Sequence, residues 1–335
     1  MISRVADHCF WLGRYVERVE NTARMVLMTR NLALDAELLP RQCWQLVVGV
    51  SGELKRFREM FGEEAASDGE HVQRFMTWDR DNPTSIVCSV GAARENARSI
   101  REVVSLDCWQ ALNEVYLWLN SDEGQRDYEH QRYAFFRRLW QSMQMCTGLF
   151  QSTMLHDTPL DFIRLGILLE RAGQTARILD VHHDTLSAAE PAHREVEIAL
   201  WLALLRACSG FEPFMKRYQG RVTRTAVAAF LILEPAFPRS VRYCVTRATG
   251  TLRKLRDGSQ GADGPLRPLE QLSELDAWLS QTAKDALKPQ ADSLSPDAVH
   301  QLLTRVVVQT AEVCEGVGTE LIRASVSAQT QSQSQ

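Results

Sequence analysis

Several signatures are missing from this chain of 335 residues, and each absence removes a class of function. No apolar run reaches the roughly 20 residues that a membrane-spanning helix needs, so no membrane span is expected. Met1 to Val5 holds no signal-peptide core and leads straight into a helical pattern, which points to a cytoplasmic protein. The eight cysteines form no C-x-x-C, no zinc-finger spacing and no Cys-His signature. Scattered among apolar neighbours, they read as small core residues in a reducing compartment. There is no P-loop, no G-x-G-x-x-G, no H-E-x-x-H and no G-x-S-x-G elbow around Ser240. A nucleotide, a bound metal, another cofactor or a serine nucleophile is therefore not expected. Lysine and arginine number 38 against 42 acidic residues, a net charge of −4, which gives no reason to expect nucleic-acid binding. Period-two alternation of apolar residues is scarce, so no substantial sheet is expected.

What the chain does have is one stretch written twice. Residues 12–24, LGRYVERVENTAR, return 153 residues later at 165–177 as LGILLERAGQTAR. Leu, Gly, Glu, Arg, Thr, Ala and Arg recur at matching positions, which marks an internal duplication. On a helix Gly13, Glu17, Asn21 and Arg24 share a narrow arc, and Leu12, Val16, Val19, Ala23 and Val26 form an apolar stripe. The second copy, flanked by Ile163, Ile167 and Ile178, is apolar nearly all round and reads as the more buried of the two. A glutamate and an arginine two turns apart in such surroundings, Glu170 and Arg177, should be paired, because an isolated buried charge is too costly. Gly13 and Gly166 sit mid-helix, where glycine costs roughly 1 kcal/mol against alanine. Close approach by another helix or a ligand would compensate. The two repeat helices are thus predicted to pack pseudo-symmetrically through these glycines.

The rest of the chain reads as helix, ten to twelve helices in an all-α fold. Helices are predicted at 4–30 and 37–60, with a polar loop at 62–69. Asn82 is a good N-cap and Pro83 suits the first turn of a helix that carries Ala93 to Glu102, a fainter echo of the repeat. There Arg94, Arg98 and Arg101 form a ridge beside Glu95, Asn96 and Glu102. The ridge is either a salt-bridged surface or a guanidinium cluster for a carboxylate or phosphate, placed near Glu17 and Glu170. Further helices follow at 107–120 and, after a loop at 121–125, through the aromatic stripe Tyr133, Phe135, Phe136, Trp140 and Met143. Thr158-Pro159 opens the second repeat helix, whose end places Asp180 with His183 or Asp184 at metal-ligand spacing. Histidine near a helix C-terminus is favourable without any metal. A loop near 189–192 precedes a helix through Trp201 to Tyr218, another at 222–233, and one opened by Pro238. A loop at 258–268 and helices at 269–287 and 296–322 complete one domain of residues 1–324, with pseudo-repeat halves 1–155 and 156–324. The Ser/Gln-rich tail, 325–335, is predicted to be disordered.

Together these segments resemble the bacterial alpha-E domain, a family of helical proteins named for its Glu-Arg motif and of unknown function. The residues that carry the likeness are Met1 to Asp7, Trp11 to Arg24, Asp79-Arg80-Asp81-Asn82-Pro83-Thr84-Ser85-Ile86, and Ala93 to Arg98 with Arg101-Glu102. Glu170-Arg171-Ala172, Thr175, Arg177 to Asp180 and Phe237-Pro238-Arg239-Ser240-Val241 complete it. Two positions depart from the family pattern: Ile167 stands where the family usually has arginine, and Gly173 where it usually has an acid. The resemblance implies a setting beside circularly permuted ATP-grasp amide ligases and transglutaminase-like proteins. Three readings follow. The chain is a helical partner or scaffold in an ATP-grasp-linked pathway that forms or modifies an amide or peptide bond. Alternatively it is an enzyme using Glu17 and Glu170 as acid and base, with Asn21, Arg24, Arg94, Asn96, Arg98 and Arg177 holding an anionic ligand. Or the Glu-Arg motifs are purely structural salt bridges.

Overall fold

The two copies of the repeat lie on α1 (Ser3–Asp35) and α9 (Thr158–Ala188), and these two helices make the most extensive helix–helix contact in the protein. Glycine sets it. A Cβ on Gly13 would collide with the carbonyl oxygen of Ile163, and a Cβ on Gly166 with the carbonyl oxygen of Phe10. Phe10 and Ile163 are themselves 153 residues apart, so each backbone seats on the other's glycine at equivalent points. The predicted pseudo-symmetric packing is present, and the whole apolar stripe of Leu12, Val16, Val19, Ala23 and Val26 is buried beside it.

The computed structural model describes residues 3–35, 40–188, 194–258, 266–286 and 296–322. Around the central pair the same arrangement occurs twice. On α1 pack α5 (Ile86–Ser99) and α8 (Arg132–Thr153), and α6 (Leu106–Leu119) touches both. On α9 pack α13 (Val241–Asp257) and α15 (Pro296–Gly316), and α14 (Arg267–Ala286) touches both. The duplication visible in thirteen residues therefore extends to a four-helix unit. The first half adds α2 (Pro40–Ser51), α3 (Leu54–Phe61), α4 (Gly69–Trp78) and α7 (Asp122–His130). The second adds α10 (Arg194–Ala207), α11 (Phe211–Tyr218) and α12 (Arg224–Leu233). α2 and α10 each reach both central helices, and a continuous apolar core joins the two sets.

No strand occurs among the described residues, as expected, but fifteen α-helices do, not ten to twelve. Left-handed residues make part of the difference. Gly52 (φ 83°) ends α2, splitting the helix predicted at 37–60, and Ser209 (φ 52°) separates α10 from α11. Local caps make the rest. Ser121 opens α7 inside the predicted loop, its hydroxyl accepting the Gly124 N–H at 3.2 Å with Asp122 and Glu123 in the first turn. Asp68 caps α4 through the Glu70 N–H at 2.8 Å. The starts predicted at Pro83 and Pro238 fall one turn later. In both P-x-S-aliphatic motifs the serine is the cap: Ser85 takes the Cys88 N–H at 3.3 Å and Ser240 the Tyr243 N–H at 3.1 Å. Asn82 instead folds the preceding turn, its Oδ1 accepting from the Thr84 N–H at 2.9 Å. The loop predicted near 189–192, most of that at 258–268 and the tail at 325–335 lie outside the described residues.

Two kinds of glycine now separate. Gly13→Ala and Gly166→Ala each drive a methyl into a backbone carbonyl, so each is expected to destabilise by about 1–3 kcal/mol or more. Gly148→Ala, on α8 with open space at its Cβ, is expected to stabilise by about 0.5–1 kcal/mol. Urea denaturation of the three variants checks this. A Gly13→Ala protein as stable as Gly148→Ala would contradict the close contact.

Candidate functional site: two interlocked glutamate–arginine clusters

The glycine contact lets arginines reach across. Glu17 accepts from Arg171 of the second copy through Nε at 2.9 Å and Nη2 at 2.6 Å, and from Arg239 Nη1 at 2.7 Å. Glu170 accepts from Arg18 of the first copy through Nε at 2.8 Å and Nη2 at 3.1 Å, and from Arg14 Nε at 2.9 Å. The glutamate of each Glu-Arg dipeptide is thus held by the arginine of the other. One turn on, the equivalent amides Asn21 and Gln174 each donate to the glutamate of their own helix, at 3.1 and 3.3 Å. Glu17 is 0% exposed and Glu170 2%.

Burial by itself raises a carboxyl pKa, and here it is outweighed. Arg171 and Arg239 hold Glu17 well below its ordinary value, and Arg18 and Arg14 do the same for Glu170. Both carboxylates stay ionised, with both oxygens of each bonded to guanidinium groups.

The clusters differ in what surrounds this exchanged pair. The first has a second acid, Glu20, which accepts from Arg24 Nη1 at 2.6 Å and also from Arg239. Arg24 further donates to Asn21 and, through Nε, to the Ala207 carbonyl at 2.6 Å. Burial, with Arg239 beside it, pulls the Arg24 pKa down to about 10. In the second cluster Gly173 replaces Glu20. Arg177, the equivalent of Arg24, has a buried Nε with no hydrogen-bond partner, and burial lowers its pKa. One carboxylate there faces three guanidiniums, those of Arg14, Arg18 and Arg177.

Of the residues predicted as a site, Glu17, Asn21 and Arg24 meet in the first cluster, and Glu170 and Arg177 in the second. The expected Glu170–Arg177 bond does not form, because Arg14 and Arg18 on α1 saturate Glu170 first. Arg98 does not join either: its side chain is 61% exposed and pairs with Glu95 at 2.7 Å. Arg94 bonds to Asn113 at 2.9 Å and lies over Tyr116, and Asn96 meets His8 at 2.8 Å. The α5 arginines thus form the salt-bridged surface. The second copy is not the more buried, since Glu17 is enclosed as fully as Glu170. Asp180 pairs with His300 at 2.8 Å, and the side chains of His183 and Asp184 lie outside the described residues. Sequence reasoning missed Arg14, Arg18, Glu20, Arg171 and Arg239. Arg18 and Arg171 carried a signal, being the second letter of the duplicated dipeptide. Arg239 carried a weaker one, its place after proline in P-x-S.

Removing one partner of a buried pair costs about 3–5 kcal/mol. Glu170→Ala, which strands Arg14 and Arg18, is expected in that range. Glu17→Ala, which strands Arg171 and Arg239, is expected to be at least as damaging, and adding Arg171→Met to it should recover part of the loss. Chemical denaturation at neutral pH measures all three. Acid gives a second check. The folded pKa values lie below the ordinary 4.5, so this stabilisation is complete above that pH and is lost as pH falls through the lowered folded values. Melting temperature is expected to fall steeply below pH 4.5 in the wild type and less steeply in Glu17→Gln.

Uncharacterized proteins of Mycobacterium bovis and Mycobacterium tuberculosis are 26% identical to the chain over 315 residues, which is 89% of this chain and 35% of theirs. The chain thus spans about a third of the length of the curated relatives it matches. No solved structure matches it. The profile of a family described as a predicted alpha-helical domain with a conserved ER motif covers residues 1–320, and the chain belongs to this Alpha-E family.

Proposed function

We propose that the chain acts as a non-catalytic helical partner of a circularly permuted ATP-grasp ligase-like enzyme. The pathway is one that makes or modifies an amide- or peptide-linked product, and a transglutaminase-like protein is a second candidate partner. The observation that carries this reading is the saturation of the motif carboxylates. An acid–base catalyst needs a carboxyl that exchanges a proton with substrate. Glu17 and Glu170 are ionised, buried and bonded at both oxygens. A surface cleft of about 440 Å³, lined by Arg74, Trp78, Arg80, Asp122 and Tyr128 among others, includes neither. With the motif turned inward, the outer surface is left to contribute to a pathway. The mycobacterial relatives carry the matching stretch as about a third of a longer chain, which fits a module that works beside other domains. The partner class rests on the family setting.

Co-expression with a circularly permuted ATP-grasp ligase-like protein tests the proposal. The two are expected to co-elute in size-exclusion chromatography, and Glu17→Gln is expected to affect the complex only as far as it unfolds the chain. Separate elution, together with turnover of an amide substrate by this chain alone that Glu17→Gln abolishes, would replace this reading with the acid–base one.

A further inference from the structure

The two clusters are equivalent by duplication but not by charge. In the first, Glu20 stands one turn before Arg24 and meets it at 2.6 Å. In the second, Gly173 stands one turn before Arg177, whose Nε is buried and unpartnered, while Arg14 and Arg18 are both engaged by Glu170. Three guanidiniums around one carboxylate leave two positive charges in excess. An uncompensated charge in a desolvated place is costly, so the arrangement calls for an anion. Guanidinium groups, planar and rich in N–H, fit the oxygens of a carboxylate or phosphate.

No backbone bars a side chain at position 173. A Cβ built on Gly173 lies 3.4 Å from Thr310 Oγ1 and 3.7 Å from Arg177 Nη2, ordinary contacts with no backbone in the way. Arg14 and Arg18 keep 17% and 15% of their side chains exposed, so the cluster has a side open to solvent. Arg177 is itself partly exposed, whereas its equivalent Arg24 is closed off at 1%. We propose that the second cluster holds a small oxyanion, a carboxylate or phosphate group of a ligand, between Arg177 and the solvent-facing sides of Arg14 and Arg18. The ligand takes the role that Glu20 plays within the chain in the first cluster. This goes beyond the docking reading and does not depend on it.

Calorimetry and thermal melting of the full chain, with inorganic phosphate and separately with N-acetylglycine at ionic strength fixed by sodium chloride, test the proposal. A saturable rise in melting temperature with at least one of the two is expected. Phosphate alone identifies a phosphoryl group, and N-acetylglycine alone a carboxylate. Arg177→Met is expected to weaken binding about tenfold or more, as loss of a charge-assisted contact does, and to melt no lower than wild type without ligand. Gly173→Glu, which supplies the missing acid in place, is expected to melt higher than wild type without ligand and to respond to neither. Arg14→Met, a change at the partly exposed side, provides a further variant expected to weaken binding. No saturable response in the wild type, or wild-type affinity retained in Arg177→Met or in Gly173→Glu, would overturn the proposal. So would a ligand-free Arg177→Met that melts below wild type, since the guanidinium would then already have its partner.

Discussion

The exchange of arginines between two buried glutamates is the constraint on which this structure rests. A buried carboxylate without a counter-charge would cost several kcal/mol, and neither copy of the repeat satisfies its glutamate with its own Glu-Arg dipeptide. Glu17 depends on Arg171 and Glu170 on Arg18. A slide of α1 along α9 by one turn would break both sets at once, so the pairs fix the register of the central helices. The glycines are a precondition of this. Only when Gly13 and Gly166 let the backbones touch are the helices close enough for each arginine to reach the other helix's carboxylate. Packing and electrostatics here are one device, and the repeated four-helix surround holds it closed.

Duplication explains how such a device can diverge. Once two copies exist, each needs only what the joint site requires. The first cluster is dense in charge: Glu20, Arg24 and Arg239 form a network with Glu17, Asn21 and the Ala207 carbonyl in which the guanidinium of Arg24 is bonded at all three nitrogens. The second has glycine at 173 in place of the acid and isoleucine at 167 in place of the arginine, whose counterpart Arg14 serves Glu170 from across the interface. The asymmetry is therefore electrostatic more than steric, and it leaves one of two related clusters short of negative charge.

The sequence carried the central pair of helices but not its wiring. Seven identities in thirteen residues located α1 and α9, and two misplaced glycines gave their contact, because a glycine mid-helix needs a reason that packing supplies. A helical wheel, however, reports which side a residue faces and is silent on what lies opposite. It grouped Glu170 with Arg177, roughly 10 Å further along the same axis, when Arg18 on the neighbouring helix lies within hydrogen-bonding distance. Arg18 and Arg171 fall off the glutamate arc and so looked peripheral, although the interface lies between the two directions. Arg239 arrives from a loop more than 200 residues from Glu17, a distance that no local pattern spans. Helix starts were misplaced for a local reason: proline announces a first turn, but in Pro83-Thr84-Ser85 and Pro238-Arg239-Ser240 the serine hydroxyl is the group that can accept the free N–H.

An internal motif bears on where function should be sought. Residues that recur because they hold two helices in register identify a fold, and their recurrence is fully accounted for by the cost of misplacing a buried charge. Acid–base chemistry asks for the opposite environment, a carboxyl whose proton is negotiable and whose oxygens are not all taken. By that criterion Glu17 and Glu170 are spent, and Glu20 is held by Arg24 and Arg239. What remains chemically unspent in the motif is cationic: the partly exposed sides of Arg14 and Arg18 and the unpartnered nitrogen of Arg177. Guanidinium groups at neutral pH bind and orient and do not shuttle protons. Both roles proposed above are roles of holding: an anion at the second cluster, a partner protein on the outer helices.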